Sequence, residues 1–300
     1  MGVFSTPCAQ DGGRVSMVGG VSWTFVLRPA ERTALSCGLD QALRAGLAAY
    51  YLPAMDDWQR SIIRPLAVAA HRQATGDSDP AVAGIGELVL HRYFAFAAAF
   101  DDFESVLANE NVWVPVPDPA APGRDLGTPD GRPIRYSCRL DQLISDDDDE
   151  WWVVEHRMVR DRWADDADLL ADIDGPRALW ALEVAYPQLY VAGTVDNELL
   201  VPAPDEVAPE TIDAAALDVP PDGAELDRRD MTRGTRHTNL RRSLLTPEER
   251  ILAAAIDGPD EIVHRESDGH VRRTWIRRQH GTIHEIGFGL AREAMALLGF

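Results

Sequence analysis

The chain has no lysine. All of its 29 basic residues are arginine, set against 49 acidic ones for a net charge of −20 over 300 residues. Lysine is normally among the commonest residues. Its absence excludes a Walker-type phosphate loop, which needs a lysine beside its glycines. ATP-driven motor chemistry is therefore not expected in this polypeptide. Cysteine is scarce too. Cys8, Cys37 and Cys138 are odd in number and widely spaced, which gives neither a zinc pattern nor a disulfide framework. A reduced, cytoplasmic protein is the expectation. No apolar run reaches the ~18 residues of a membrane-spanning helix. The N-terminus lacks the basic flank and apolar core of a secretory signal. The acidic balance also limits nucleic-acid binding, which depends on cationic neutralisation of phosphates. Any such binding would be confined to a surface where arginines gather.

What is present is a mixture of two periods. Leu35, Leu39, Leu43, Leu47 and Tyr50 recur at helical spacing. A second helical stretch runs from about Trp58 to Ala74. A third carries Val89, Tyr93, Phe96, Phe100 and Phe103 on one face, with Glu87, His91, Ala95 and Ala98 on another. The period then becomes two. Val112, Val114 and Val116 alternate ahead of a proline-, glycine- and aspartate-rich loop. Ile134, Tyr136, Cys138 and Leu140 alternate with Arg135, Ser137, Arg139 and Asp141. The acidic run Asp146 to Glu150 reads as a solvated turn. Trp151 to Met158 reads as the returning strand of a hairpin. Residues Pro176 to Ala192 read as a helix broken at Pro187. Residues 201–223 hold five prolines and many acids and read as a loop. Thr246, Pro247 and Glu249 form a helix-start signal. Val271 to Arg278 reads as a strand, and His284 to Leu298 as an amphipathic helix. The division follows: a tail or lone strand over 1–30, a helical region with the core over 31–195, a loop with a basic cluster over 196–245, and a closing strand and helix over 246–300.

In the returning strand, Trp151, Val153, Glu155 and Arg157 share a face, and pairing would bring Asp141 towards Glu155. Two carboxylates beside a cation suit a hard divalent ion, which takes oxygen ligands. Basic residues gather elsewhere. Arg228, Arg229, Arg233, Arg236, Arg241 and Arg242 form one cluster, and Arg272, Arg273, Arg277 and Arg278 flank Trp275 in another. Arginine beside an aromatic ring can hold phosphate and stack a base.

The segment from Gly131 through Asp141, the acidic turn, and Trp152-Val-Val-Glu155-His156-Arg157 resembles the core of the PD-(D/E)xK nuclease superfamily, and within it the RecB-like branch. Leu35 to Leu39 is similar to that branch's opening helix, and Gly86 with His91 to its glycine-plus-histidine helix. Glu110 is similar to the acidic residue that precedes the first strand. Arg272 to Arg278 followed by a helix is similar to the closing segment. The resemblance implies an α/β fold with a central mixed sheet flanked by helices, restriction-endonuclease-like, with a helical N-terminal region. It implies Mg²⁺ or Mn²⁺ held by His91, Asp141, Glu155 and the backbone carbonyl of His156. It also implies metal-dependent hydrolysis of DNA phosphodiesters in repair, recombination, phage or defence biology. Arg236, Arg241, Arg242, Arg272, Arg273, Trp275, Arg277 and Arg278 would then contact nucleic acid, and Tyr186 and Gln188 stand near the place of a glutamine-and-tyrosine motif.

Two departures bear on this expectation. The family's lysine is Arg157, which keeps the charge but cannot give up a proton. No cysteine follows Cys138, so the iron–sulfur cluster that some relatives carry is not expected. The alternative expectation is a catalytically inactive subunit of nuclease-like fold that binds DNA or scaffolds a larger complex.

Overall fold

The structure is a computed structural model and describes residues 14–18, 24–28, 37–76, 80–203 and 258–299. The clusters at Arg228 to Arg242, including Arg236, Arg241 and Arg242, lie outside the described residues, as does the helix start at Thr246.

The architecture is α/β, with one mixed eight-stranded sheet between two helical layers. Strands β1 (Arg14–Val18) and β2 (Thr24–Arg28) form a hairpin. Strand β2 runs parallel to the start of β4 (Ile134–Ser145). Strands β3 (Glu104–Pro115), β4 and β5 (Trp151–Val159) are an antiparallel meander. Two helices, α4 (Asp166–Leu170) and α5 (Asp174–Ala185), then carry the chain across to β6 (Val191–Leu200), which lies parallel to β5. Strand β8 (Val271–Arg277) pairs antiparallel with β6, and β7 (Glu261–Ser267) forms the edge beside it.

Three helices cover one face: α1 (Cys37–Tyr50), α2 (Arg60–Thr75) and α3 (Pro80–Phe100). The expected stripe of Leu39, Leu43, Leu47 and Tyr50 is buried there, with Tyr93, Phe96, Trp152, Val154 and Val195. Helix α3 is long and apolar enough by composition to cross a membrane, and half of its most apolar window is buried in this layer. Helices α5 and α6 (His280–Leu298) cover the other face, over Val112, Val114, Ile134, Tyr136, Cys138, Leu140, Trp151 and Val153. Strand β5 is thus covered on both faces, which is why Trp151 to Val154 form a continuous apolar run.

Three expectations about the elements need correction. Residues 191–200 form a central strand rather than the end of a helix at Ala192 followed by a loop from residue 196. Helix α5 stops at Ala185, two residues before Pro187, which cannot continue the backbone ladder. Strand β3 starts at Glu104, well before the valine alternation, and irregular pairing near Ser105 to Leu107 hides its first half from a period-two reading. Gly86 has a packing role: a Cβ there would lie 2.2 Å from Cε1 of His71, so its absence lets α2 and α3 approach.

Candidate functional site

The hairpin forms as the alternation requires, and its acidic tip is structural. Asp146 accepts the backbone N–H of Asp148 and of Glu150, each at 2.9 Å, and the indole N–H of Trp152 at 2.8 Å. The β4–β5 ladder runs from Ser145↔Trp151 to Gln142↔Val154 and stops. Beyond that point the strands part, and the backbone N–H of His156 donates instead to Oδ2 of Asp141 at 3.0 Å. Asp141 also binds Arg44 of α1, which is held in turn by Asp40 at 3.0 Å, and Arg139 lies 3.6 Å away. Burial pushes the Asp141 carboxyl upward. Arg44, His156 and Arg139 outweigh that and hold it below its ordinary value.

Glu155 and Arg157 share a face, as the strand period requires, but they belong to a larger group. The Arg157 guanidinium lies 3.1 Å from Glu155, 2.6 Å from Asp172 and 2.6 Å from Asp196. Asp172 precedes α5 and also accepts the Gly175 N–H at 3.2 Å. Asp196 comes from β6, paired in register with Glu155. Its contact with Arg157 is close but not aligned as a hydrogen bond, and both of its oxygens are buried without a hydrogen-bond partner among the described residues. Burial, with Asp196, Asp172 and Asp141 nearby, pushes Glu155 up to about 8 despite Arg157. Burial likewise pushes Asp196 up to about 6. Burial acts to lower the Arg157 pKa, and Asp196, Glu155 and Asp172 overcome it, so the guanidinium stays charged. Three carboxylates around one guanidinium leave an excess of negative charge in a poorly solvated place.

Asp172 and Asp196 escaped sequence reasoning. Asp196 sits in a strand read as helix and loop. Asp172 sits in an acid-rich stretch without periodicity, and only the crossover brings both to Arg157.

The His156 side chain faces the opposite layer. Its Nδ1 accepts from Asn197 at 3.2 Å, and its ring stacks on Tyr51 at 6.3 Å between centroids. Burial lowers its pKa to about 4, so the imidazole is neutral. His91 does not join Asp141 and Glu155. It packs edge-on to Phe94, and the charges it feels are Glu87, Arg64 and Arg72. Among the described residues no group of three or more His, Cys, Asp or Glu side chains is disposed to hold a metal ion. The implied ligand set therefore reduces to Asp141, Glu155 and the His156 carbonyl.

The arginines of β8 are corrected as a group. Arg273 is 1% exposed and donates to Asp101 at 2.8 Å. Arg278 is equally buried and donates to Thr194, Asp260 and the carbonyls of Leu169 and Leu170. Arg272 is held by Glu198 at 2.7 Å, and Arg277 by both oxygens of Glu150, at 3.1 and 2.7 Å. Trp275 is buried and packs edge-on to Trp152 at 5.2 Å. Arg273, Arg278 and Trp275 are enclosed and Arg272 nearly so, because β8 is an interior strand, while Arg277 keeps part of its surface open but is already paired with Glu150. Glu110 lies exposed in the middle of β3 rather than ahead of it. Tyr186 caps the end of α5 and Gln188 follows in the turn, both exposed.

No protein-family model and no curated protein matches the chain. It is similar to a solved structure titled "Crystal structure of SSO0001" at 14% identity, over 62% of this chain and 77% of that one, with a TM-score of 0.23.

Proposed function

We propose that the protein is a divergent metal-dependent nuclease of the RecB-like PD-(D/E)xK type, acting on DNA phosphodiesters. The observation that carries this reading is the crowd of carboxylates at the β4–β5–β6 junction. Glu155 is driven to about 8 by burial and neighbouring carboxylates, a strain that a hard cation would relieve. Magnesium is commonly held by one or two carboxylates together with waters and substrate phosphate, so two side chains and a carbonyl suffice. Asp141, Glu155 and the His156 carbonyl would hold Mg²⁺ or Mn²⁺. When bound, the ion supplies Lewis-acid stabilisation of the phosphate and lowers the pKa of water at the site. Arg157 stays charged and cannot serve as a base; its planar fork suits stabilising charge on a phosphate. Asp172 and Asp196 hold it beside Glu155.

The test is cleavage of labelled DNA with Mg²⁺ or Mn²⁺. Activity should vanish in Asp141→Ala and in Glu155→Ala. An inert wild-type protein across metals and substrates would overturn the reading. A second reading is an inactive subunit of the same fold, possessing a DNA-binding or scaffolding role. It is favoured by the arginines already seated on both carboxylates, Arg44 on Asp141 and Arg157 on Glu155. Calorimetry with millimolar-range Mn²⁺ separates the two: binding supports the nuclease, and none supports the scaffold. Arg157→Lys adds a second arm, because gained cleavage would mark a dormant enzyme.

A further inference from the structure

Near the candidate site, part of the meander's face on the α1–α3 side is left uncovered by the described residues. On β3 and β4 the even-numbered residues Val112, Val114, Ile134, Tyr136 and Cys138 turn into the core under α5 and α6. Their neighbours turn the other way. Trp113 stands directly opposite Ser137 in the ladder, and Asn111 opposite Arg139. Directly opposed residues of antiparallel strands share a face, and diagonal neighbours lie within reach of long side chains. Trp113 therefore lies between Arg135 and Arg139. Ser137 beneath it is buried, whereas Trp113 is 41% exposed and both arginines are exposed. Arg135 has no ion-pair partner among the described residues. Arg139 reaches Asp141, so the platform runs along β4 into the candidate site.

In a chain of net charge −20, an exposed indole between two exposed arginines is a local reversal of sign. We infer that the Trp113–Arg135–Arg139 face of β3 and β4 binds single-stranded nucleic acid and leads it towards Asp141. The inference rests on the nuclease reading for its purpose, though not for the binding itself. A ring face takes any unstacked base, and each guanidinium takes a backbone phosphate. A duplex keeps its bases stacked and offers no face to an indole, so the chemistry selects a single strand. This face replaces the β8 arginines as the nucleic-acid surface, because Arg135 carries no ion pair among the described residues and Arg139 has only the 3.6 Å contact with Asp141, whereas the β8 arginines are buried or closely paired.

The experiment uses the full chain with a chelator present, so that cleavage plays no part. Fluorescence anisotropy is followed with oligo(dT) and oligo(U) of about 16 nucleotides and with a duplex of equal length. Wild type should bind the single strands more tightly than the duplex. Trp113→Ala should weaken binding about tenfold or more, and Trp113→Phe should recover most of it. Arg135→Gln and Arg139→Gln should each reduce the salt slope by about 0.7 for single strands. Unchanged affinity in Trp113→Ala and in both arginine variants would overturn the inference, as would a preference for duplex. Wild type that binds no single strand at low salt would also overturn it. Metal-dependent cleavage and Mn²⁺ binding, measured separately, report on the nuclease reading whichever way the binding falls.

Discussion

Two clusters, each centred on one arginine, lie on opposite faces of the sheet around β6, and they are built differently. On the α1–α3 side, Arg273 sits under the Phe96 and Phe103 rings, 5.0 Å from each, and donates to Asp101. Asp101 also accepts from Tyr51 at 2.8 Å, and Tyr51, Tyr93 and Asn197 continue the chain of hydrogen bonds to His156. Charge balances there, and the one buried oxygen without a hydrogen bond among the described members of this cluster is the neutral amide oxygen of Asn197. On the α5 side, Arg157 faces Glu155, Asp172 and Asp196, and the Asp196 oxygens lack hydrogen bonds among the described residues. The first cluster has the form of a structural fixture, and the second carries an unbalanced charge. A protein that keeps such an imbalance beside its surface holds a reserve of negative potential that a cation can use.

Breaking the balanced cluster should cost most. Arg273→Ala leaves Asp101 buried without its cation, and urea unfolding should show a loss of about 3–5 kcal/mol. A similar loss in Asp196→Asn would erase the contrast, because that substitution removes an excess charge and should leave stability within about 1 kcal/mol. The next effect belongs to the hairpin tip. Asp146→Ala removes the acceptor of three hydrogen bonds and should cost about 1–3 kcal/mol in the same assay, without altering metal binding.

The pH dependence sharpens the comparison further. A carboxyl whose folded pKa lies above its unfolded value holds its proton more tightly in the fold. Stability then falls as pH rises from about 4.5 towards about 8 for Glu155. Glu155→Gln should therefore raise the melting temperature at pH 8 by a few degrees and change it little at pH 4. Buried neutral His156 acts in the opposite direction, costing stability as pH falls from 6.5 towards about 4. Wild type should thus melt highest in a window between these limits, and Glu155→Gln should widen that window on its alkaline side. A melting profile of the variant parallel to wild type would place the excess charge elsewhere. The smallest effect should come from the surface pair of exposed Arg72 with half-buried Glu87, 2.6 Å apart. Arg72→Ala should cost about 0–1 kcal/mol by denaturant titration, since solvent screens the exposed guanidinium.

How far the residues foretold this arrangement depends on their surroundings. The stripe on α1 and the alternation in β4 were readable because each has one wet face and one buried face. Strand β6 was not, because Asp196, Asn197 and Glu198 are all buried in a central strand. Their polarity is matched only by residues distant in sequence: Arg157, Tyr93 and Arg272. The same long-range pairing misled the reading of β8, whose arginines looked like a nucleic-acid surface and are instead the counter-ions of that interior. Trp113 went unremarked because a lone tryptophan in a valine strand gives no sign of its face until the register with β4 is known.

The sequence by itself determined the mixed α/β character, the helical opening, the β4–β5 hairpin and the shared face of Glu155 and Arg157. These follow from local period and turn chemistry, which act over a few residues. Only the tertiary structure decided which charges meet. The parallel crossover brought Asp172 and Asp196 to Arg157, helix α1 brought Arg44 to Asp141, and α3 kept His91 among its own neighbours. The physical reason is that burial, not residue type, sets whether an arginine serves the core or faces solvent, and burial is decided by packing between segments far apart in the chain.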